Sequence, residues 1–238
     1  MAGSLKSPPL PHSPAIHLRP TAPLAERVLL PGDPGRALAL AQLLLTEPRM
    51  FNHHRGLWGY TGAAADGHPL TIQATGMGGP SAAIVLTELI ALGAARAIRV
   101  GTCGALAPDL ALGELVIATE AICADGTSKA LGAGERAAAD RPLTEALGAR
   151  APGARAGAIV SVDLFYDERP PDAPGALAVE MEAAALFAVG SAAAVPVACL
   201  LAVSDTFDAD GVRSRIEDQA LLAAAETMGA AAIAALAA

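Results

Sequence analysis

A chain of 238 residues, 53% of them apolar, can bury one core of single-domain size, and its formal net charge of -8 with only Lys6 and Lys129 as lysines excludes non-specific binding to nucleic acid or to an anionic membrane. Cys103, Cys123 and Cys199 form no CxxC pair and leave one cysteine over, which excludes a disulfide framework and points to a reducing, cytoplasmic setting. The arginines are numerous enough to gather locally around a small anionic metabolite.

The opening stretch, "MAGSLKSPPLPHSPAIHLRP", has no apolar run of signal-peptide length and carries prolines at 8, 9, 11, 14 and 20. Residues 1–14 are expected to form a mobile tail and 15–238 one domain. Short apolar runs predict strands over 27–30, 69–75, 97–100, 114–122, 157–162, 175–180 and 197–205. Helical patterns cover 35–46, 80–93, 142–148, 183–194 and 213–237. Their alternation predicts an α/β domain: a single, mixed but mostly parallel twisted sheet with helices on both faces. Asp66-Gly67 signals a hairpin within 57–72. Residues 126–142 and 166–175 read as surface loops. Residues 183–203 carry no charge, but alanine richness and Pro196 predict a buried helix followed by a buried strand rather than a membrane span.

Several strand ends carry residues suited to chemistry. "PGDPGRA" (31–37) follows the first strand: Gly32 permits close backbone approach, Pro34 can start a helix, and Arg36 adds a bidentate donor. A helix N-terminus in that setting binds anions, although an ordinary turn with a solvated arginine fits as well. "RVGTCGA" (99–105) repeats the arrangement with Arg99, Gly101, Thr102 and Gly104. "TGMGGPSAA" (75–83) is a poor dinucleotide fingerprint, since its sixth position is Ser81 and Arg96 stands where an acid would hold a ribose. No P-loop motif exists, and the histidines and cysteines lack metal-ligand spacing. His53 and His54 read as surface residues.

Two acids in the apolar segment "ALAVEMEAAALFAV", Glu180 and Glu182, need partners, because burying an unpaired carboxylate costs several kcal/mol. At i and i+2 they share a face in a strand, and a strand ending near Met181 would leave them where α/β sheets bind ligands. Asp205 of "VSD" ends another very apolar strand. It reads either as a cap or as a general acid whose pKa apolar surroundings raise.

Together "PGDPGRA", "HRGLWGYTG" (54–62), "TGMGGPSAA", "RVGTCGA", "VDLFY" (162–166), "VEMEAAALF" (179–187) and "VSD" occur in one order. In that order they resemble the hexameric-type purine nucleoside phosphorylases of the nucleoside phosphorylase-I superfamily. The resemblance implies reversible phosphorolysis of purine (deoxy)ribonucleosides to free base and pentose 1-phosphate, with phosphate as co-substrate and neither metal nor organic cofactor. It implies phosphate binding by Gly32, Arg36, Arg99 and Thr102, with Arg55 reaching a neighbour's site. Met77, Met181 and Glu182 would hold the ribose, with His17 from the neighbour near the 5′-hydroxyl. Cys103, Gly104, Phe165, Val179 and Glu180 would line the base pocket, and Asp205 would protonate purine N7. The family's arginine that assists this aspartate has two candidates here, Arg213 and Arg215, both earlier in the chain than usual. A homohexamer built as a trimer of dimers is implied, with no nucleic-acid or membrane partner. Uridine or 5′-methylthioadenosine phosphorylase, hydrolytic nucleosidase, a noncatalytic nucleotide-binding module and a Rossmann-type oxidoreductase are the alternatives. Asp205 weighs against uridine and against noncatalytic binding, Arg36, Arg55 and Arg99 weigh against hydrolysis, and the poor GxGxxG weighs against the oxidoreductase, whereas only pocket size near the 5′ position separates a 5′-methylthioadenosine phosphorylase.

Overall fold

The computed structural model describes residues 15–167, 171–208 and 211–238. The expected tail, 1–14, lies outside the described residues. Among the described residues eleven strands form one sheet: β1 (Arg27–Leu30), β2 (Thr46–Asn52), β3 (Gly59–Ala63), β4 (Pro69–Gln73), β5 (Arg96–Ala105), β6 (Leu115–Ala124), β7 (Arg136–Ala138), β8 (Arg155–Val162), β9 (Ala178–Glu180), β10 (Val197–Phe207) and β11 (Arg213–Arg215). The helices are α1 (Pro34–Leu44), α2 (Gly79–Ala91), α3 (Gly126–Ala130), α4 (Arg141–Arg150), α5 (Ala183–Ala193) and α6 (Asp218–Leu236), with a 3-10 turn at His54–Gly56.

The sheet is mixed, as expected. Parallel ladders join β4, β1, β5 and β10 in turn and β6, β8 and β9 in turn. Antiparallel pairing of β10 with β6 and of β5 with β9 closes these two parts into a ring. Such closure removes sheet edges around the strands that carry the chemistry. The β3–β4 hairpin turns at Asp66-Gly67, with Gly67 at φ +79. Each face is covered: Ile98, Val100, Leu200 and Ala202 point toward α1, α4 and α6, whereas Ala97, Cys103, Cys199 and Leu201 point toward α2 and α5. Strands buried on both faces explain the near-continuous apolar runs.

Three expectations need correction. The helix expected over 35–46 ends at Leu44, and Thr46 opens β2, whose first five residues are exposed and so lack an apolar signal. The helix expected over 213–237 begins at Asp218, because Arg213–Arg215 pairs with β10 instead. The expected loop 126–142 holds α3, capped by Asp125 accepting the Ser128 N–H at 2.7 Å, as well as β7 and the start of α4. These elements are too short for periodicity to reveal.

The uncharged stretch 183–203 is α5, a break at Ala194–Pro196 and most of β10. The helix α6 is long and apolar enough by composition to cross a membrane, but it lays Ala225, Met228, Ala232 and Leu236 into the core shared with α1 and α4. That packing is the ordinary behaviour of a core helix.

Candidate functional site

Arg99 of β5 stands level with Leu30, the last residue of β1, and with Cys199 of β10. Its Nε donates to Glu180 Oε2 at 3.0 Å, and one terminal nitrogen reaches Glu182 Oε2 at 2.6 Å. Both acids of "VEME" are therefore used. Glu180, at the end of β9, also accepts the Ser161 hydroxyl and the N–H groups of Glu182 and Ala183. Glu182 precedes α5 and accepts the Gly78 N–H at 2.5 Å. Burial opposes the Arg99 charge, yet Glu182 and Glu180 hold it protonated above its ordinary range. Burial also pushes the Glu180 carboxyl up, against the pull of Arg99. Gly101 makes room for this network, since a Cβ there would lie 2.7 Å from Arg99 Cζ.

The remaining terminal nitrogen of Arg99, Nη1, is buried and has no hydrogen-bond partner. A Cβ placed on Gly32 would lie 3.8 Å from it and 3.5 Å from the Gly76 carbonyl oxygen. The cleft thus has a glycine floor and an unused donor. Gly32 leads into α1, whose cap Asp33 accepts the Arg36 N–H at 2.7 Å. The Arg36 guanidinium forms no hydrogen bond or ion pair among the described residues; burial lowers its pKa, Asp33 opposes that, and Arg99 and Arg215 add to it. Arg36, with Arg99 and Arg215 each near enough to disfavour its charge, stands beside a helix N-terminus, an arrangement that suits an anion. Thr102 lies half-buried three residues beyond Arg99, in register with Ala202.

"TGMGGPSAA" serves this cleft as a turn. Gly76 and Gly78 take φ +73 and +86, and a Cβ on Gly76 would meet Ser81 Oγ at 2.6 Å. Met77 between them is 87% exposed, and Met181 sits half-buried between the two glutamates.

At the other end of the cleft lies Asp205. A bulge between Val203 and Asp205 in the β10–β5 register re-aims the strand there. Asp205 Oδ2 accepts the Ser204 hydroxyl at 2.6 Å, and Oδ1 accepts from Arg213 Nε at 2.8 Å. The expected apolar surroundings are therefore corrected: the strand beneath is apolar, but the carboxyl itself faces a hydroxyl and a cation. Of the two candidate arginines, Arg213 makes the hydrogen bond and Arg215 stays 4.0 Å away. Arg213 also lies over the Phe165 ring, 4.7 Å from its centroid. Gly104 faces Val179 and Phe207, whose side chains a Cβ would meet at 3.3 and 3.8 Å. Burial pushes the Cys103 thiol up to about 12, so it remains an uncharged wall.

Two expected residues stand apart. His17 Nδ1 bonds Glu88 Oε1 at 2.7 Å, and the His17 carbonyl meets His54 Nδ1 at 3.0 Å, beside the exposed Arg55. Glu88 lies about 14 Å along α2 from Gly79, at a rise of about 1.5 Å per residue. His17 is tied to His54, which precedes Arg55 in the chain, and among the described residues no hydrogen bond or ion pair links His17 or Arg55 to Arg99, Glu182 or Asp205. Sequence reasoning missed Ser161, Ser204 and Phe207; for Phe207 the signal was its i+2 spacing from Asp205 on one strand.

Residues 26–238 match the protein family described as the phosphorylase superfamily. A DeoD-type purine nucleoside phosphorylase of Caldanaerobacter subterraneus is 36% identical over 200 residues, 77% of this chain and 84% of its own length. A uridine phosphorylase of Treponema pallidum is 39% identical over 197 residues, 74% of this chain and 76% of its own length. Among solved structures, a uridine phosphorylase from Vibrio fischeri is similar with a TM-score of 0.79 at 25% identity, covering 90% of this chain and 92% of that one.

Proposed function

The chain belongs to the nucleoside phosphorylase-I superfamily, and we propose that within it the protein catalyses reversible phosphorolysis of purine (deoxy)ribonucleosides to free base and pentose 1-phosphate. Asp205 carries the purine assignment: it is 6% exposed at the base end of the cleft, with both oxygens held. Uridine is the second reading, favoured by the Treponema relative, but uracil has no imidazole nitrogen for such an acid to protonate.

In this reading phosphate enters the cleft between Gly32, Arg36 and the unused nitrogen of Arg99, with Thr102 at its edge and Arg55 arriving from a neighbouring subunit. Glu182 is fixed by Arg99 and Gly78, so its remaining lone pairs can accept the ribose hydroxyls. Met77 and Met181 pack on the sugar, and His17 of a neighbour approaches the 5′-hydroxyl. The bond of His17 to His54, the residue before Arg55, with no link from either His17 or Arg55 to Glu182, supports such exchange between subunits. A homohexamer, a trimer of such dimers, follows from the resemblance.

As the glycosidic bond lengthens, the sugar gains oxocarbenium character, which positioned phosphate stabilises and then captures at C1′. The leaving purine gains negative charge, and a proton delivered from Asp205 to N7 neutralises it. Val179, Cys103, Gly104 and Phe165 line the space for the base, and Glu180, bonded to Arg99 and Ser161, braces it from beneath. Incubation with inosine, adenosine and uridine, each with and without phosphate, tests the reading. Base release from purine nucleosides that requires phosphate is expected; release from uridine alone, or without phosphate, would replace it.

A further inference from the structure

Glu88 stands in the last turn of α2, where the helix dipole disfavours an acid, and the mechanism above leaves it without a task. Its carboxylate anchors the segment that leads into the fold. Oε1 accepts the N–H groups of Ile16 and His17, each at 3.0 Å, and Oε2 accepts those of His17 and Leu18 at 2.9 and 2.7 Å. Three successive backbone donors share one carboxylate, and the His17 ring adds its Nδ1, 2.7 Å from Oε1. Burial pushes the Glu88 carboxyl up, but the Leu18 N–H, the His17 ring and the other two N–H groups outweigh it and hold the acid below the usual carboxylate range. A carboxylate accepts and cannot donate, so the contact with Nδ1 needs a proton on that nitrogen. Nε2 makes no hydrogen bond among the described residues, and the ring is 28% exposed. The backbone here is also held without Glu88: His54 Nδ1 donates to the His17 carbonyl at 3.0 Å, Asn52 Oδ1 accepts the Arg19 N–H at 2.9 Å, and Leu18 is buried in the core.

We infer that Glu88 is a positioning residue: it fixes the orientation of the His17 ring and the proton on its Nδ1, so that Nε2 is the nitrogen offered to a substrate hydroxyl in the neighbouring subunit. This inference rests on the reading above in which His17 of a neighbour approaches the 5′-hydroxyl. With the proton on Nδ1, a neutral ring presents a lone pair at Nε2, and a hydroxyl can donate to it. A ring without the carboxylate would rotate and would carry its proton on either nitrogen. Glu88 settles both before substrate arrives, which is preorganisation. A 5′-deoxy or 5′-alkylthio nucleoside has no hydroxyl to donate and forfeits the bond. Because the ring is partly exposed, the expected preference for a free 5′-hydroxyl is that of one ordinary hydrogen bond, about 3- to 10-fold in kcat/KM.

The test is kcat/KM for inosine and 5′-deoxyinosine at saturating phosphate, in the wild type, Glu88→Gln, His17→Ala and the double variant. Glu88→Gln keeps the side-chain length and one acceptor oxygen, but its amino group can accept from neither the backbone nor Nδ1. The wild type is expected to favour inosine, Glu88→Gln to lose most of that ratio, and the double variant to match His17→Ala alone. Equal loss on both nucleosides, or a ratio that survives Glu88→Gln, would overturn the inference, since Glu88 would then act only on the fold. Nitrogen-15 NMR of the histidine rings in the substrate-free wild type, with His17 identified by its absence from His17→Ala, needs neither turnover nor a Glu88 variant. A proton on His17 Nδ1 supports the inference, and a ring protonated on Nε2 alone defeats it. A wild type blind to the 5′-hydroxyl would overturn the placement of His17 and the inference with it. Failure to release base from either nucleoside with phosphate would instead overturn the purine reading, and the 5′-hydroxyl step would fall with that reading.

Discussion

The two ends of the cleft both set a guanidinium against carboxylates, but at different depths. At the end proposed for sugar and phosphate, Arg99, Glu180 and Glu182 have side chains 3%, 1% and 8% exposed, tied to three strands, a helix start and the Gly78 turn. At the base end Asp205 is similarly buried, yet its partner Arg213 is 32% exposed on a three-residue edge strand. The deep network cannot lose a member without stranding a charge away from water. The shallow pair can exchange its partner for water or for a substrate atom. On the proposed function, fixed geometry serves the groups common to every nucleoside and adjustable geometry the part that differs between them.

The comparison breaks most visibly at Arg99. Arg99→Met leaves two acids buried without their cation and is expected to cost about 3–5 kcal/mol in urea unfolding as well as abolishing phosphate-dependent turnover; a loss under about 1 kcal/mol would show that the network is not structural. At the base end the expectation reverses. Asp205→Asn should lower kcat by about 100- to 10,000-fold, the usual range for a general acid, with an unfolding midpoint close to the wild type. Unimpaired turnover would remove Asp205 from the chemistry.

Gly101→Ala sharpens the contrast without changing any charge. Its Cβ would meet the Arg99 guanidinium at 2.7 Å. A loss of about 1–3 kcal/mol and a raised phosphate KM are expected, whereas unchanged values would mean that the guanidinium moves freely.

The smallest effect calibrates depth. Arg27 and Asp66 form a similar pair where water reaches the carboxyl, which is 25% exposed. Hydrogen bonding from Arg27 holds the Asp66 carboxyl down to about 2 from an ordinary 3.8. A depressed acid stabilises the fold above its unfolded pKa and loses that contribution as pH falls through the folded one. Asp66→Asn should therefore cost under about 1 kcal/mol at neutral pH, and the difference should vanish between about pH 4 and pH 2. A difference that persists at pH 2 would contradict the assignment.

What the sequence made legible follows the same division. The acids of "VEME" announced themselves, because nothing but a partner justifies two carboxylates in an apolar run. "PGDPGRA" carried its own cap and helix start. Arg99 could be placed at a strand end, but its bond to Glu180 spans 81 residues and leaves no spacing signature. Arg213 read as part of a helix because β11 is three residues long and wholly exposed, so no alternation marked it as a strand. The bulge that aims Asp205 depends on the register of two strands a hundred residues apart. Only tertiary pairing sets it.

The central claim is transfer of the pentose from a purine to phosphate, and the most direct measurement is the sugar product formed from inosine. Chromatography with a phosphate assay should find one ribose 1-phosphate for each hypoxanthine released. Free ribose in its place, or hypoxanthine released without phosphate, would make the reaction a hydrolysis and contradict the role given to Arg36, Arg99 and Gly32.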